Sequence, residues 1–334
     1  MAFELPDLCP LLLEPRLLPK LWGGRRLESY GKALPAGLAI GESWELYDDA
    51  KGSARVAAGP AAGLSLRQLC EGWGEDLLGL GHGAWARRFP LLIKLIDANQ
   101  DLSVQVHPDD ALALELEGPQ ALGKSEAWVV LEARPGSRLL SGFLQGVDAA
   151  ALQRGLQQGN LESLLRREAV ALGDAFDIPA GRVHAIGAGC LLAEVQQNSD
   201  ATYRLWDYGR LEGGKPRALH VERALRALCL DAPFAQSGGR LQPQTSAHPW
   251  GREEALLQSP YFSLRRLRLA GEAPLAPAGA PRILMVLQGQ LQLAWGAGQG
   301  MMVPGGSTVL VPAALAASLR PATGSATVLQ IEPR

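Results

Sequence analysis

The segment Leu102-Ser-Val-Gln-Val-His107 alternates apolar and polar residues without a break. A strict period of two belongs to a strand with two unlike faces, with Leu102, Val104 and Val106 on one side and Ser103, Gln105 and His107 on the other. Upstream, Leu91-Leu-Ile-Lys-Leu-Ile96 reads as a mostly apolar strand. Residues 127–133, 137–143, 175–178, 191–196 and 203–208 carry further strand signals. The 39 glycines, 23 prolines and sparse aromatics suit many short strands joined by turns.

Helical spacing is confined to a few places. Leu66, Leu69, Trp73 and Leu77 recur at that spacing over residues 64–80, weakened by Gly72 and Gly74. Over 148–170, Leu152, Leu156, Leu161, Leu164 and Leu165 line one side. Gly159-Asn160 is expected to divide that region into two helices, with Asn160 as an N-cap. Residues 218–229 predict a short helix, and Trp22-Gly23-Gly24 predicts a turn. The stretch 232–245 is polar and rich in Gly, Pro and Gln, as a domain boundary would be. Beyond it short strands alternate with turns, and no helical periodicity returns. The expectation is a mainly β chain in two units. Residues 1–235 carry helical insertions at about 60–80 and 148–170, and residues 236–334 form the second unit.

The charge balance, 32 basic against 34 acidic residues, contains no basic run, so a phosphate-neutralising nucleic-acid surface is not expected. No stretch is apolar for long enough to cross a bilayer, and the N-terminus lacks the charged and apolar regions of a signal peptide. Cys9, Cys70, Cys190 and Cys229 form no closely spaced pair, which points to free thiols and a cytoplasmic address.

Gln105 and His107 are followed by Glu126, 19 residues on, and by His184, 58 residues further, in Ile178-Pro-Ala-Gly-Arg-Val-His184. Two neutral imidazoles and one carboxylate suit a divalent transition metal, zinc above all. The Gln105 amide oxygen is a weak, neutral fourth donor. A single carboxylate leaves such a site near +1, able to polarise a substrate oxygen.

The spacing from Gly173 through Pro179 and Gly181 to His184 resembles the second motif of the cupin β-barrel family, with Gln105 standing where the first motif usually has a histidine. Leu102-Ser-Val-Gln-Val-His-Pro-Asp109, Gly123-Lys-Ser-Glu-Ala-Trp128 and Gln196-Gln-Asn-Ser-Asp-Ala-Thr-Tyr-Arg204 together resemble type I mannose-6-phosphate isomerase, in its compact bacterial form. Leu21-Trp-Gly-Gly24 and Gly41-Glu-Ser-Trp-Glu-Leu46 match the N-terminal signatures of the same family. The likeness runs from about Leu21 to Arg226.

That resemblance implies two jelly-roll-like cupin barrels, the second without metal, since no histidine follows His248. It implies one zinc ion per chain on Gln105, His107, Glu126 and His184, and a catalytic arginine at Arg204. Ser103 and Lys124 match residues that face the sugar phosphate, and Glu194 with Lys94 matches polar residues inside the barrel. The implied reaction interconverts mannose 6-phosphate and fructose 6-phosphate through an enediol. The implied partners are a sugar phosphate and at most copies of the same chain, as a monomer or small homo-oligomer.

Charge builds on O1 and O2 as the proton leaves C2, and a metal or the permanent charge of Arg204 would stabilise it. The proton carrier stays open among Glu194, Lys124 and a water on the metal. Ordinary roles also stay open. Lys124 could be a solvated loop residue, Lys94 could reach the barrel rim, Arg204 could pair with Asp200 or Asp207, and Glu194 could be a structural carboxylate. A non-catalytic sugar-phosphate-binding cupin and an iron-dependent cupin oxygenase are the competing functions.

Overall fold

The computed structural model describes residues 5–86, 88–230 and 238–334. The expected boundary at 232–245 lies partly outside the described residues. The chain is mainly β, in jelly-roll-like sheets with short helices inserted.

One seven-stranded sheet runs in the order Gly239–Arg240, Ala175–Ile178, Glu126–Ala133, Cys190–Gln197, Leu91–Asp97, Ile40–Leu46 and Arg16–Gly24. A five-stranded sheet has the order Leu165–Ala169, Arg138–Phe143, His184–Ile186, Val104–Val106 and Tyr203–Trp206. Their inner faces meet in one core, where Ile96, Trp128, Phe176 and Leu192 of the first sheet pack with Leu139 and Ile186 of the second.

The other face of the seven-stranded sheet is also covered. Ile93, Leu95, Val129 and Val195 share a larger core with Leu66, Leu69 and Leu77 of the helical insertion, and with Phe262, Leu264 and Ile283 from beyond residue 238. Burial on both faces explains why 91–97 reads as a continuous apolar run rather than an alternating one.

The C-terminal strands build an eight-stranded and a four-stranded sheet. Leu11–Leu13 and Val56–Ala58 form the edge of the eight-stranded sheet, where Leu11 pairs with Leu310. In return, Gly239–Arg240 pairs with Ala175–Ile178 in the first barrel. Buried polar groups join the barrels as well. Lys32 Nζ donates to Glu45 Oε2 at 2.7 Å and to the Gly306 carbonyl at 2.6 Å, and Thr308 Oγ1 donates to the same carboxylate oxygen at 3.3 Å.

Two local expectations are corrected. Only the first half of 148–170 is an α-helix, Ala149–Gln158, opened by the Asp148 side chain accepting from Ala151 N and closed by Gly159 at φ 67°. Leu161–Leu164 is a single 3-10 turn, Asn160 makes no side-chain cap bond, and Leu165–Ala169 is an edge strand. Its antiparallel pairing with Arg138–Phe143 outweighs a weak local helical preference. The second correction concerns Trp22–Gly24, which ends the strand Arg16–Gly24 rather than forming a turn. A Cβ on Gly23 would lie 2.5 Å from Gly41 N, so glycine is what allows the two chains to touch.

Candidate metal centre and substrate pocket

The strand Val104–Val106 sits between His184–Ile186 and Tyr203–Trp206, with Gln105 directly opposite both His184 and Arg204. Three residues far apart in sequence thus share one row across the sheet. In the facing sheet, Glu194 is opposite both Lys94 and Trp128, and Glu126 is opposite Gln196 two positions along. The period of two keeps these side chains on the inner face.

His107, Glu126 and His184 come together between the sheets, their ligand atoms within 4.8 Å of one another and all three side chains buried. Among the described residues this is the one group of three such side chains placed to hold a metal ion. His107 Nδ1 lies 2.8 Å from the Ala201 carbonyl, and His184 Nδ1 lies 2.9 Å from the Arg182 carbonyl. A carbonyl only accepts, so each Nδ1 carries the proton and each Nε2 presents its lone pair to the cluster. Burial pushes the His107 imidazolium down to about 4, helped by Lys124, and burial lowers His184 likewise. Both rings are therefore neutral, ligand-ready imidazoles at neutral pH.

Glu126 lies between the rings, with Oε2 3.5 Å from His107 Nε2 and Oε1 3.4 Å from His184 Nε2. Burial alone would raise this carboxyl, but the Lys124 ammonium first, and the two histidines in their protonated forms after it, outweigh burial and hold it well below the usual carboxylate range. Lys124 Nζ stands 3.0 Å from Oε2, yet neither oxygen accepts an aligned hydrogen bond. Lys124 stands beside one oxygen only, and buried acceptors without aligned donors are costly unless a further cation meets them. The donor set of two imidazole nitrogens and one carboxylate fits a divalent transition metal. The Gln105 amide turns Nε2 toward His184 Nε2 at 3.3 Å and Oε1 toward Ser103 Oγ at 3.2 Å. Rotation of that amide exchanges the two atoms and brings the oxygen to the cluster.

Beside the cluster a cleft is lined by Ser103, Gln105, Lys94, Lys124, Glu194 and Arg204, every pocket residue expected from sequence. Lys94 Nζ pairs with Glu194 Oε1 at 3.0 Å, and Trp128 Nε1 donates to Glu194 Oε2 at 3.1 Å. Burial disfavours the Lys94 ammonium, but Glu194 and Glu42 more than offset it, so Lys94 titrates above its ordinary value. Arg204 pairs with neither Asp200 nor Asp207, and its buried Nε has no partner. Asp207 is taken by Arg210 and by Arg217. A larger cavity of about 410 Å³, lined by Tyr30, Leu172, Arg266 and Arg268 among others, lies apart from this centre.

Residues 11–124 match the model of the type I phosphomannose isomerase catalytic domain. A probable mannose-6-phosphate isomerase of Bacillus subtilis is 37% identical over 79% of this chain and 81% of its own length. The mannose-6-phosphate isomerase of Streptococcus mutans is 34% identical over 90% of this chain and 92% of its own. The chain belongs to the type I mannose-6-phosphate isomerase family. Members of this family are aldose–ketose isomerases.

The crystal structure of the Bacillus subtilis mannose 6-phosphate isomerase superposes with a TM-score of 0.86 at 32% identity, covering 96% of this chain and 99% of that one. A putative mannosephosphate isomerase from Archaeoglobus fulgidus shares the fold, with a TM-score of 0.77 at 22% identity and full coverage of both chains.

Sequence reasoning missed part of this cleft. Lys20, Trp22, Glu42, Thr202 and Arg217 also line it. Trp22 and Glu42 stand inside the two N-terminal signatures, which were a usable signal. Lys20 and Arg217 belong to no motif. His220 sits at the start of Val221–Ala227 and accepts from Arg204 N through Nδ1 at 3.3 Å. It thereby helps to hold the backbone of the arginine.

Proposed function

We propose that this chain is a zinc-dependent isomerase that interconverts mannose 6-phosphate and fructose 6-phosphate, with one zinc on Gln105, His107, Glu126 and His184. The observation that carries the reading is the Glu126 carboxylate, buried between two imidazole nitrogens with Lys124 on one side and no aligned hydrogen bond to either oxygen, beside a basic cleft. A zinc held by these four residues would supply Lewis-acid charge that stabilises the developing enediolate.

The chain's own residues do the rest. The cleft lining holds Lys20, Lys94, Lys124, Arg204 and Arg217 against Glu42, Glu194 and Asp200, five cations to three anions, which favours a substrate carrying a phosphate dianion. Arg204 has no carboxylate partner to neutralise it, so its charge is available to the oxygens that become negative in the enediol. Ser103 and Lys94 bind and orient the sugar phosphate, and Lys124 contacts it from the loop before Glu126. Glu194 and Lys124 are the groups assigned to moving the proton from C2 to C1. The C2 hydroxyl proton passes to O1, so nothing is oxidised or reduced overall. Lys94 and Trp128 hold both Glu194 oxygens in place for this role. The second barrel, from about residue 236, holds no metal, and the enzyme works in a reducing cytoplasm where its four cysteines stay free.

An assay that couples fructose 6-phosphate formation to a dehydrogenase tests the reading. Wild type is expected to turn over mannose 6-phosphate, and Arg204→Ala to lose about 100- to 1,000-fold in kcat, as removal of a charge that acts in the transition state does. Wild type that binds the sugar phosphate without turnover would instead make it a binding protein. Iron in the purified chain together with oxygen consumption would make it an oxygenase.

A further inference from the structure

We propose that Tyr261, which belongs to the second barrel, positions Lys124 for catalysis through Asp110. This rests on the isomerase reading above. It gives the metal-free barrel a part in the reaction beyond packing.

Lys124 needs such support. It lies on the irregular segment between the helix Asp110–Glu117 and the strand that starts at Glu126, where no ladder of backbone bonds fixes the chain. Individual bonds do so instead. Gly123 N donates to Asp110 Oδ1 at 2.8 Å, Lys124 N to the Pro108 carbonyl at 2.9 Å, and Ser125 N to Gln197 Oε1 at 2.9 Å. Gln197 Nε2 donates in turn to the same Asp110 Oδ1 at 2.9 Å. One carboxylate thus fixes the residue before Lys124 directly and the residue after it through Gln197. The fit is close, since a Cβ on Gly123 would lie 2.6 Å from Asp110 N.

Asp110 can hold two donors on Oδ1 only if its plane is fixed, and its other oxygen is what fixes it. Tyr261 Oη donates to Asp110 Oδ2 at 3.0 Å across 151 residues of sequence. Ser125 is a second polar neighbour of the phenol. The tyrosine is itself held. Tyr261 N donates to Ser259 Oγ at 3.2 Å, the Tyr261 carbonyl accepts from Arg334 N at 3.0 Å, and the ring packs on the large shared core. Without the phenol, Oδ2 loses its donor and the carboxylate is free to turn. Gly123 and Gln197 then lose their common anchor, and the ammonium of Lys124 loses its place beside Glu126 and the cleft. A displacement of a catalytic group by a fraction of an ångström costs rate far more than binding.

The experiment uses the zinc-loaded full-length chain turning over mannose 6-phosphate, with zinc content and melting temperature measured alongside. Tyr261→Phe is expected to lower kcat about tenfold, with KM within about twofold of wild type and zinc still one per chain. Asp110→Asn is expected to show the same split, and the double variant to lose no more than either single one. Thr308→Val, which removes a different hydrogen bond between the barrels, is expected to keep the wild-type kcat. An unchanged kcat in Tyr261→Phe overturns the inference, as do additive losses in the double variant. Zinc loss in either single variant, or an equal fall in kcat for Thr308→Val, would mean that the contact only docks the barrels. A silent wild type would overturn the isomerase reading and this inference with it, whereas an active wild type with an indifferent Tyr261→Phe overturns this inference alone.

Discussion

At the scale of single residues, environment decides chemistry more than identity does. His107 and His184 are neutral because they are buried and because a backbone carbonyl holds the proton on Nδ1. Asp177 shows the same logic outside the site. Burial raises its carboxyl from 3.8 to about 6, and nearby Arg182 opposes the rise without cancelling it. The folded chain therefore binds this proton more tightly than the unfolded chain does. Asp177 costs nothing below about pH 4, and the cost grows as pH rises toward 6 and is constant above. Asp177→Asn is expected to leave thermal stability unchanged at pH 4. At pH 8 it should add about 1–2 kcal/mol, less than the full shift would give because the side chain keeps some solvent contact. Melting curves of both proteins at the two pH values check this, and a gain confined to pH 4 would reverse the sign. Gln105, His107 and His184 were legible because each sits in a patterned context, a period-two strand or a Pro-x-Gly turn, whereas Glu126 was reached through the motif Gly123-Lys-Ser-Glu-Ala-Trp128. Lys20 and Arg217 were not, because a lone basic residue in sequence carries no sign of whether it faces a cleft or bulk water.

At the scale of elements, local pattern succeeded where a segment's neighbours agree with it. The strand Leu91–Asp97 is covered on both faces, and its apolar run says so. The region 148–170 failed because Leu161, Leu164 and Leu165 satisfy helical spacing, while backbone pairing with Arg138–Phe143 decides the outcome. Pairing partners that lie well outside a local window, such as Phe143 for Leu165 and Arg138 for Ala169, leave no trace in it. The strand Ile40–Leu46 carries another such hidden relation, since Glu45 is buried there against Lys32, Ser43 and Thr308. Removing one partner of a buried pair leaves the other charge uncompensated, at a cost of about 3–5 kcal/mol. Lys32→Met is accordingly expected to lower the unfolding free energy by that amount, measured by urea titration. A loss of less than about 1 kcal/mol would show that Ser43 and Thr308 suffice for the carboxylate.

At the scale of the whole molecule, the mainly β architecture with helical insertions was readable from turns, strand periodicity and the spacing around His184. The exchange of strands between the barrels was not. Leu11–Leu13 and Gly239–Arg240 each complete a sheet built mostly by the other half of the chain, and only long-range pairing reveals it. The core between the two inner faces of the first barrel holds them against each other, and His107, Glu126 and His184 meet only because those faces meet. The central claim is that this meeting point is a zinc centre on which isomerisation depends. It is tested most directly by stripping metal from the purified chain with a chelator, assaying mannose 6-phosphate turnover, and adding back zinc in measured amounts. The account predicts loss of activity in the stripped protein and recovery that saturates at one zinc per chain. Full activity in protein shown to contain no metal would contradict it.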